Sequence, residues 1–258
     1  MTLYLEGAAL AAACFAALWV ASVIRRDASI IDPFWGLGFV VVVWFWHVRG
    51  DAGTVRAIAQ AVAVTVWGVR LSGYLFWRNH GAGEDFRYRA MRERAPSTFP
   101  IVSLFTVFLL QAAILLVVAA PLHAVQRAAL PAGITPFDLA GLVVFLVGLT
   151  FESVGDLQMA RFKADPGNRG KVLDRGLWRY TRHPNYFGDA VVWWGLFLPA
   201  LAVPGGWWTA IGPLVMTGLL MKVSGVALLE KTLAETKPAY RDYVRRTPAF
   251  FPGPPKGD

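Results

Sequence analysis

The sequence predicts an all-α, polytopic membrane protein with about seven transmembrane helices. Of its 258 residues, 56% are hydrophobic and only 16% are charged, whereas a soluble domain carries about 25% charged residues. Several apolar stretches approach about 20 residues, the length that crosses a bilayer. The predicted spans are residues 7–24, 33–48, 55–77, 101–125, 136–155, 187–203 and 206–229. The loops are too short for a separate soluble domain, so we expect a single membrane domain over residues 1–258.

The basic residues predict the orientation of these spans. Most of the 25 Lys and Arg residues fall in the loops at 25–32, 78–100 and 156–186 and in the tail at 230–258, which all lie on one side. The positive-inside rule makes that side cytoplasmic and places the N-terminus outside. The net charge of +8 therefore reflects topology. It suits an anionic ligand or lipid headgroup on the cytoplasmic face and does not by itself indicate nucleic acid.

Some chemistries are excluded or disfavoured by the sequence. No Gly-x-Gly-x-x-Gly motif follows a strand pattern, which excludes a soluble dinucleotide-binding domain. The single cysteine, Cys14, excludes an intramolecular disulfide and a cysteine metal site. His47 and His123 have no cluster of further ligands near them, so we expect no metal.

The second span opens with Asp32-Pro33-Phe34-Trp35-Gly36. Proline is tolerated in the first helical turn, and Asp32 could be the N-cap before it. The alternative is that Asp32 is a catalytic or ligand-holding acid facing a cavity, where Trp35 could stack on a planar ring. The sequence leaves both interpretations open.

The third span carries Trp67, Arg70, Tyr74 and Arg78 at spacings that place them on one helix face. Arg70 lies deep for a side chain that merely extends to the interface, so we predict that it faces a polar cavity. The loop at 78–88 continues this mixture of acids, bases and aromatic residues. Arg78 and Arg87 are predicted to contact a ligand, and helix-capping ion pairs are the alternative.

The densest polar cluster, residues 176–189, lies at the start of the sixth span. Asn185 and Asp189 are four residues apart and therefore share a helix face. Arg179 and Arg182 precede them, and guanidinium groups suit phosphate oxygens. A positive-inside loop explains the cations but not Asn185 or Asp189, so we predict a pocket for a phosphate-bearing ligand. Further candidates in this region are Lys163, Asn168, Lys171, Tyr180 and His183.

The C-terminal tail adds Tyr240, Tyr243 and Arg246, which recur every three residues and line one face of a predicted helix. Glu230 lies at the end of the seventh span. An aromatic and basic helix of this kind can be a membrane-interface anchor. Because residues 176–189 already predict a ligand pocket, we assign these three residues to ligand binding.

Residues 176–189, followed by the tail residues, resemble the C-terminal half of the steroid 5-alpha-reductase and sterol-reductase superfamily, which includes the isoprenylcysteine carboxyl methyltransferases. Residues 31–36, 78–88 and 151–158 are similar, more narrowly, to the bacterial DUF1295 branch of steroid 5-alpha-reductase-like membrane proteins. The resemblance covers most of the chain. It implies substrate-side helices at 1–130 and a half at 131–258 that binds NADPH.

The resemblance also implies roles for individual residues. Asn185 and Asp189 would face the adenosine or nicotinamide side of NADPH, and Arg246 lies in a segment associated with cofactor affinity. The basic residues that would meet phosphates are Lys163, Lys171, Arg179 and Arg182. In steroid reductases, a Gln-Glu-Leu-Pro-type motif supplies an acid that acts with a tyrosine of the third span. Here Asp32 opens the second span, Trp67 aligns with that tyrosine, and Tyr74 lies two turns further along.

We therefore expect an NADPH-dependent reductase of a lipophilic enone or other activated alkene, embedded in a bacterial inner membrane. Asp32 and Tyr74 are the candidate catalytic acids, which would stabilise a developing enolate. Cofactor contacts are also expected from Trp35, Arg70, Arg78 and Arg87. The alternative is an S-adenosylmethionine-dependent methyltransferase of a lipophilic substrate, since that branch shares the Arg-His-Pro-x-Tyr segment. A non-catalytic lipid-binding or scaffold protein is the third interpretation.

Overall fold

The structure is a computed structural model that describes residues 2–50, 53–223 and 238–255. All regular secondary structure in these residues is helical. Five helical segments among them are long and apolar enough to cross a membrane. They are Thr2–Arg25, Ala28–Arg49, Val55–Asn79, Phe99–Val118 and Pro136–Ala164. The predicted all-α membrane class is confirmed.

Eleven α-helices are labelled in chain order within the described residues. They are α1 Thr2–Arg25, α2 Ile31–Arg49, α3 Val55–Asn79, α4 Phe86–Arg94, α5 Phe99–Ser103, α6 Leu110–Val118, α7 Ala120–Gln126, α8 Pro136–Ala164, α9 Pro184–Phe197, α10 Ile211–Gly218 and α11 Pro238–Arg246. A π-helical segment, Leu104–Leu109, joins α5 to α6 and makes the fourth span continuous.

The last two predicted spans differ from the structure. The sixth, predicted at 187–203, is the 14-residue helix α9 followed by the 3₁₀ segment Leu198–Ala202. At about 1.5 Å per residue, α9 alone is shorter than the hydrocarbon core of a bilayer. The seventh span was predicted at 206–229. Its described part consists of the 3₁₀ segment Gly206–Ala210, α10 and the π-helical segment Leu219–Val223, and residues 224–229 lie outside the described residues.

Proline and glycine explain why these two regions are interrupted. Pro199 lies two residues after the end of α9 and cannot donate a main-chain hydrogen bond. Gly205 has a positive φ of 72°, a conformation that a residue with a Cβ adopts only with strain. A uniform apolar composition across 187–229 therefore predicts longer helices than the backbone forms.

The chain divides into two compact units. The N-terminal unit comprises Met1–Thr135 with Ala200–Thr209, and the C-terminal unit comprises Pro136–Pro199 with Ala210–Asp258. The first boundary falls close to the predicted division between residues 130 and 131. The roles predicted for the two halves stay predictions.

The N-terminal unit is built around the pairing of α2 with α3. A Cβ added to Gly36 would lie 2.5 Å from the carbonyl oxygen of Gly68, so only glycine permits this close approach. The core of this unit is aromatic and includes Phe39, Trp46 and Trp67, all fully buried. This packing fixes the start of α2, where Asp32 lies.

The C-terminal unit is held by an unusually close pairing of α8 with α9. Gly141, Gly148 and Gly155 recur every seven residues along α8, and Gly188 and Gly195 do so along α9. Cβ atoms added at four of these positions would come within 3.0 Å of backbone atoms of the other helix, and Gly155 is the looser case. A seven-residue repeat of small residues is typical of membrane helices whose backbones touch.

Candidate functional site

The N-terminal unit contains a hydrogen-bonded set, Asp32, Arg87 and Tyr88, which we call the acid cluster. Arg87 Nη2 lies 2.9 Å from Asp32 Oδ2, and Tyr88 Oη donates to Asp32 Oδ1 over 2.8 Å. Both oxygens of the carboxylate therefore accept from a donor. The Arg87 guanidinium also lies 5.2 Å from the centre of the Tyr88 ring, within cation–π range.

Local capping brings α4 to the start of α2 and so builds the acid cluster. Asp85 caps α4 by accepting from the Arg87 main-chain N–H over 2.9 Å and from its Nε over 2.8 Å. The Asp85 main-chain N–H donates to Ser29 Oγ over 2.6 Å, which ties α4 to the turn that precedes α2. Asp32 itself is not the N-cap of α2, because the helix begins one residue earlier, at Ile31. This excludes the first of the two predicted interpretations of Asp32.

A second ion pair supports the same loop. Glu84 accepts from Arg92 Nη2 over 2.7 Å and from the Ala28 main-chain N–H over 2.9 Å. Burial raises the pKa of Glu84, but the hydrogen bonds from Arg92 and Ala28 outweigh it and hold the pKa below its ordinary value. Glu84 therefore stays ionised at neutral pH and keeps the loop at 84–92 attached to the start of α2.

The ionisation of the acid cluster follows from burial and charge. Burial of Tyr88 raises the pKa of its phenol, and the neighbouring carboxylate of Asp32 raises it further. Burial lowers the pKa of Arg87, but its hydrogen bonds and ion pairs with Asp85 and Asp32 outweigh this effect and raise it. At neutral pH the cluster therefore holds a protonated phenol and a guanidinium, both donating to the Asp32 carboxylate.

Among the residues predicted on the third span, Arg70 and Arg78 both lie close to the ring of Tyr74. The guanidinium carbons of Arg70 and Arg78 lie 5.6 Å and 5.8 Å from the centre of the Tyr74 ring. Burial raises the pKa of Asp85, but its hydrogen bonds and ion pair with Arg87 and, more weakly, the positive charge of Arg78 hold that pKa below its ordinary value. Ligand contacts of Arg70, Arg78 and Arg87 stay predictions, as does the catalytic role of Tyr74.

Aromatic residues of α2 and α3 pack against one another. Trp35 packs edge-on against Phe39 at 5.3 Å, and Phe39 packs against Trp67 at 5.7 Å between ring centres. The stacking of Trp35 on a ligand ring stays a prediction. Tyr88 was not among the predicted site residues, although it directly follows Arg87 in the polar loop. The feature that could have identified Tyr88 is its position next to Arg87, but this position lies outside the predicted spans.

In the C-terminal unit, residues 178–183 and 243–253 bind each other, and we call this pairing the tail clasp. Arg182 donates from its main-chain N–H to Pro248 O and from its guanidinium to Val244 O, over 2.9 Å and 3.0 Å. Its guanidinium also donates to the carbonyl of Thr247, and the Tyr243 hydroxyl donates to the carbonyl of Trp178. The phosphate contact predicted for Arg182 stays a prediction. In this structure its side chain binds main-chain carbonyls.

Asn185 connects α9 to the buried acids of α8. Its Nδ2 donates to Asp156 Oδ1 over 3.0 Å, while its Oδ1 is buried without a hydrogen-bond partner. Asp189, one turn further along, is 8% exposed, and Asp156 and Glu152 on α8 are 4% and 2% exposed. The three acids are therefore packed inside the unit, and Asn185 is half-buried beside them. Among the residues that the structure describes, no group of three or more His, Cys, Asp or Glu could hold a metal ion.

Other predicted ligand residues lie around these features. His183 is buried and stacks on the ring of Tyr186 at 5.6 Å, and Tyr240 is buried beside Tyr243. Arg246 Nη2 lies 3.6 Å from Asp174 Oδ2 in an exposed pair. The exposed members of the predicted set are Lys163, Lys171, Arg179 and Tyr180. The ligand contacts of all these residues stay predictions, and Glu230 lies outside the described residues.

A cavity of about 350 Å³ opens at the C-terminal end of α8, and we call it the α8 cavity. Its lining residues are Gln158, Arg161, Phe162, Asp165, Asn168, Leu173, Arg175 and Gly176. Asn168 is the one lining residue that belongs to the predicted site. Arg161 and Arg175 were counted in the sequence only as topology signals, because nothing in their spacing indicated a shared cavity.

Comparison with known proteins places the chain in a family. It matches the model of a protein of unknown function, DUF1295, over residues 18–247. An uncharacterized protein of Schizosaccharomyces pombe is 25% identical over 262 residues, which cover 91% of this chain and 75% of that protein. A probable O-methyltransferase of Ustilaginoidea virens is 41% identical over 51 residues, 20% of this chain and 18% of that protein. No solved structure matches the chain significantly. The protein belongs to the DUF1295 family.

Proposed function

We propose that this protein is an NADPH-dependent membrane reductase of a lipophilic enone or other activated alkene. The acid cluster is the main support. Tyr88 is a buried, protonated phenol, and it donates to a carboxylate that Arg87 fixes in place. A preorganised donor in an apolar environment is what stabilises the negative charge that develops on a carbonyl oxygen during reduction.

Tyr88 replaces Tyr74 in our proposal as the donor to the substrate carbonyl. A carbonyl oxygen within about 3 Å of Tyr88 Oη would compete with Asp32 for the phenolic hydrogen. Rotation of the hydroxyl about the Cζ–Oη bond of Tyr88 then transfers the hydrogen bond to the substrate. Arg87 continues to balance the negative charge of the Asp32 carboxylate. Asp32 acts here as the acceptor that holds the phenol in position, because both of its oxygens already accept hydrogen bonds.

The C-terminal unit contains groups that suit a nicotinamide nucleotide. The buried Oδ1 of Asn185 has no partner, and such an acceptor costs about 1–3 kcal/mol until a donor reaches it. A carboxamide or a ribose hydroxyl carries such a donor. Arg161 and Arg175 line the α8 cavity with guanidinium groups, which bind phosphate oxygens. When bound, NADPH would supply the hydride that reaches the β-carbon of the enone.

The membrane setting of the proposal follows the sequence. The positive-inside rule orients the N-terminus outside and the tail in the cytoplasm, where NADPH is available. The five apolar helices favour a lipophilic substrate that enters laterally from the bilayer of a bacterial inner membrane. The resemblance to the steroid 5-alpha-reductase superfamily agrees with an enone substrate.

A methyltransferase is the second candidate. The 51-residue match to a probable O-methyltransferase favours it, although that match covers only 20% of this chain. Such an enzyme would bind S-adenosylmethionine and would not need the protonated phenol of Tyr88. The acid cluster therefore supports the reductase over the methyltransferase.

The first experiment is a pair of binding titrations on the full-length protein in detergent. We expect micromolar affinity for NADPH and no binding of S-adenosylmethionine, and the opposite result would establish the second candidate. Binding of neither ligand would favour a non-catalytic lipid-binding protein. Mass spectrometry of small molecules retained after mild purification provides an independent check.

The second experiment tests Tyr88 itself, with oxidation of NADPH by a hydrophobic 3-oxo-Δ4 steroid as the assay. Tyr88→Phe should lower kcat by about 100-fold, because one donor to the developing oxyanion is lost, and should leave NADPH affinity unchanged. Tyr4→Phe is the matched control, since the Tyr4 phenol of the same unit donates to the main chain at Leu116 O. An unchanged kcat for Tyr88→Phe would remove Tyr88 from the mechanism.

A further inference from the structure

The α8 cavity has walls that the local sequence fixes. Gln158 Oε1 accepts from the Leu177 main-chain N–H over 3.0 Å, which holds the loop after Leu173 against α8. Gly176 adopts a positive φ of 63°, and a Cβ there would lie 2.4 Å from Gln158 Nε2. Glycine therefore permits the close contact that closes this side of the cavity.

The charges of the cavity favour an anion. Two guanidinium groups, Arg161 and Arg175, line it together with a single carboxylate, Asp165. That carboxylate already accepts from the Gly167 main-chain N–H over 2.8 Å and from Asn168 Nδ2 over 3.2 Å. The cavity thus holds two cations against one acid whose two oxygens are both hydrogen-bonded within the loop.

The remaining walls and the size indicate what kind of anion fits. Phe162 and Leu173 contribute apolar surface, and Gln158 and Asn168 contribute amides. A volume of about 350 Å³ is at the low end for small-molecule sites. It suits a phosphorylated end of a ligand rather than an entire dinucleotide.

We propose that the α8 cavity binds a phosphomonoester through Arg161 and Arg175, and that this group is the 2′-phosphate of NADPH. The inference rests on the proposed function and extends it to the choice between NADPH and NADH. A phosphomonoester carries a charge of about −1.5 to −2 at neutral pH. Paired guanidinium groups match its oxygens, and an arginine is a known means of accepting the phosphate that distinguishes NADP from NAD.

Arg161 has a competing structural role that the experiment must separate. It lies in the last turn of α8, where a cation interacts favourably with the negative end of the helix dipole. If that were its whole role, replacing it would lower stability and leave phosphate binding unchanged. Arg175 lies outside α8 and is free of this ambiguity.

The test compares adenosine 2′,5′-bisphosphate with adenosine 5′-monophosphate as ligands of the full-length protein in detergent. We expect the bisphosphate to bind at least about 10-fold more tightly, because charge-assisted hydrogen bonds to the 2′-phosphate are added. Arg161→Gln and Arg175→Gln should each abolish most of this preference, and Arg175→Lys should retain part of it. Arg169→Gln is the matched control, since Arg169 is an exposed cation of the same loop that does not line the cavity.

Equal affinity for the two adenosine nucleotides, or a preference that survives both glutamine variants, would overturn the inference. Short-chain phosphatidate in nanodiscs tests the other source of a phosphomonoester. If it binds in an Arg161- and Arg175-dependent manner while the bisphosphate does not, the cavity belongs to a lipid headgroup and the assignment to NADPH fails.

Kinetics separate this inference from the proposed function. If the cavity reads the 2′-phosphate, Arg175→Gln should raise KM for NADPH by about 10-fold and leave KM for NADH unchanged. Enone reduction that uses NADH and NADPH equally would overturn the role of the cavity and keep the reductase. Selective binding of the bisphosphate without any enone reduction would keep the cavity and count against the reductase.

Discussion

In the N-terminal unit, Arg87 and Tyr88 donate to the carboxylate of Asp32, whereas in the C-terminal unit Arg182 and Tyr243 donate to main-chain carbonyls. The same two residue types thus bind a side-chain carboxylate in one unit and main-chain carbonyls in the other. The local backbone explains the difference. In the C-terminal unit, the carbonyls at the end of α11 have no helical N–H group as a donor and accept from Arg182 instead. In the N-terminal unit, Asp85 caps the start of α4.

The two units also differ in how their helices meet. One pair of glycines brings α2 and α3 together, whereas five glycines line the contact of α8 with α9. The C-terminal unit is therefore expected to depend on backbone contact and main-chain hydrogen bonds, and the acid cluster on charge. Substitutions in each unit can break or sharpen this contrast.

The largest effect is expected for Gly188→Ala. A Cβ at this position would lie 2.3 Å from Glu152 N and 2.6 Å from Gly148 O, so α8 and α9 must separate. We expect a loss of about 3 kcal/mol of unfolding free energy, measured by thermal unfolding in detergent. Gly218→Ala in the same unit is the control, because its Cβ would meet nothing within 4 Å. Equal unfolding midpoints for the two variants would show that close backbone contact does not hold this unit.

Arg182→Gln is expected to have the next largest effect. It removes a buried guanidinium from the carbonyls of Val244 and Thr247, and hydrogen bonds of this charged kind contribute about 1.5–3 kcal/mol. We expect a loss of about 2 kcal/mol in thermal unfolding. The control is Arg179→Gln, an exposed arginine three residues earlier. If Arg182→Gln weakened NADPH binding at unchanged stability, Arg182 would be the phosphate ligand that its sequence predicts.

The sequence predicts some features of the C-terminal unit and not others. Five apolar stretches were located because composition alone determines whether a helix can cross a membrane. The shared helix face of Asn185 and Asp189 followed from their spacing. The tail clasp did not, because Arg182 and its carbonyl partners lie more than 60 residues apart. Spacing along one helix carries no information about such a contact.

The acid cluster was likewise only partly predicted from the sequence. Asp32 was identified as a cap or an acid, but its partner Tyr88 lies 56 residues away on a short helix outside the predicted spans. The 3₁₀ segments Leu198–Ala202 and Gly206–Ala210 were missed because apolar composition outweighed Pro199 in the assignment, whereas Gly205 does lie in the break between the two predicted spans. Residues with suitable side-chain chemistry could be identified from the sequence, whereas the residues that they contact depended on tertiary packing.

A smaller effect is expected at the ion pair between Glu84 and Arg92, and it should depend on pH. The pKa of Glu84 is lower in the folded protein than its ordinary value of 4.5. Its contribution to stability is therefore fully present above that ordinary value and is lost as the pH falls through the lower folded-state value. Hydrogen exchange of residues 86–94, corrected for intrinsic rates, should increase on acidification below about pH 4.5.

The matching substitution sharpens this result. Glu84→Gln should cost about 1 kcal/mol at neutral pH and should make exchange in α4 less dependent on acidification. Glu93→Gln, in the same helix and exposed, should behave like the original protein. If acidification opened α4 equally in Glu84→Gln, another group would be responsible and the N-terminal unit would not depend on this pair.

The smallest effect is expected for Asp242→Asn, which removes an ion pair next to the tail clasp. Asp242 pairs with Arg245, but the two side chains are 61% and 78% exposed, and such surface pairs contribute about 0–1 kcal/mol. We expect a change below about 0.5 kcal/mol in thermal unfolding. Tyr243→Phe, one residue further, removes the hydrogen bond to Trp178 O from a buried position and should cost about 1 kcal/mol. If Asp242→Asn were the more damaging of these two neighbours, the C-terminal unit would depend on surface charge, and its contrast with the acid cluster would no longer hold.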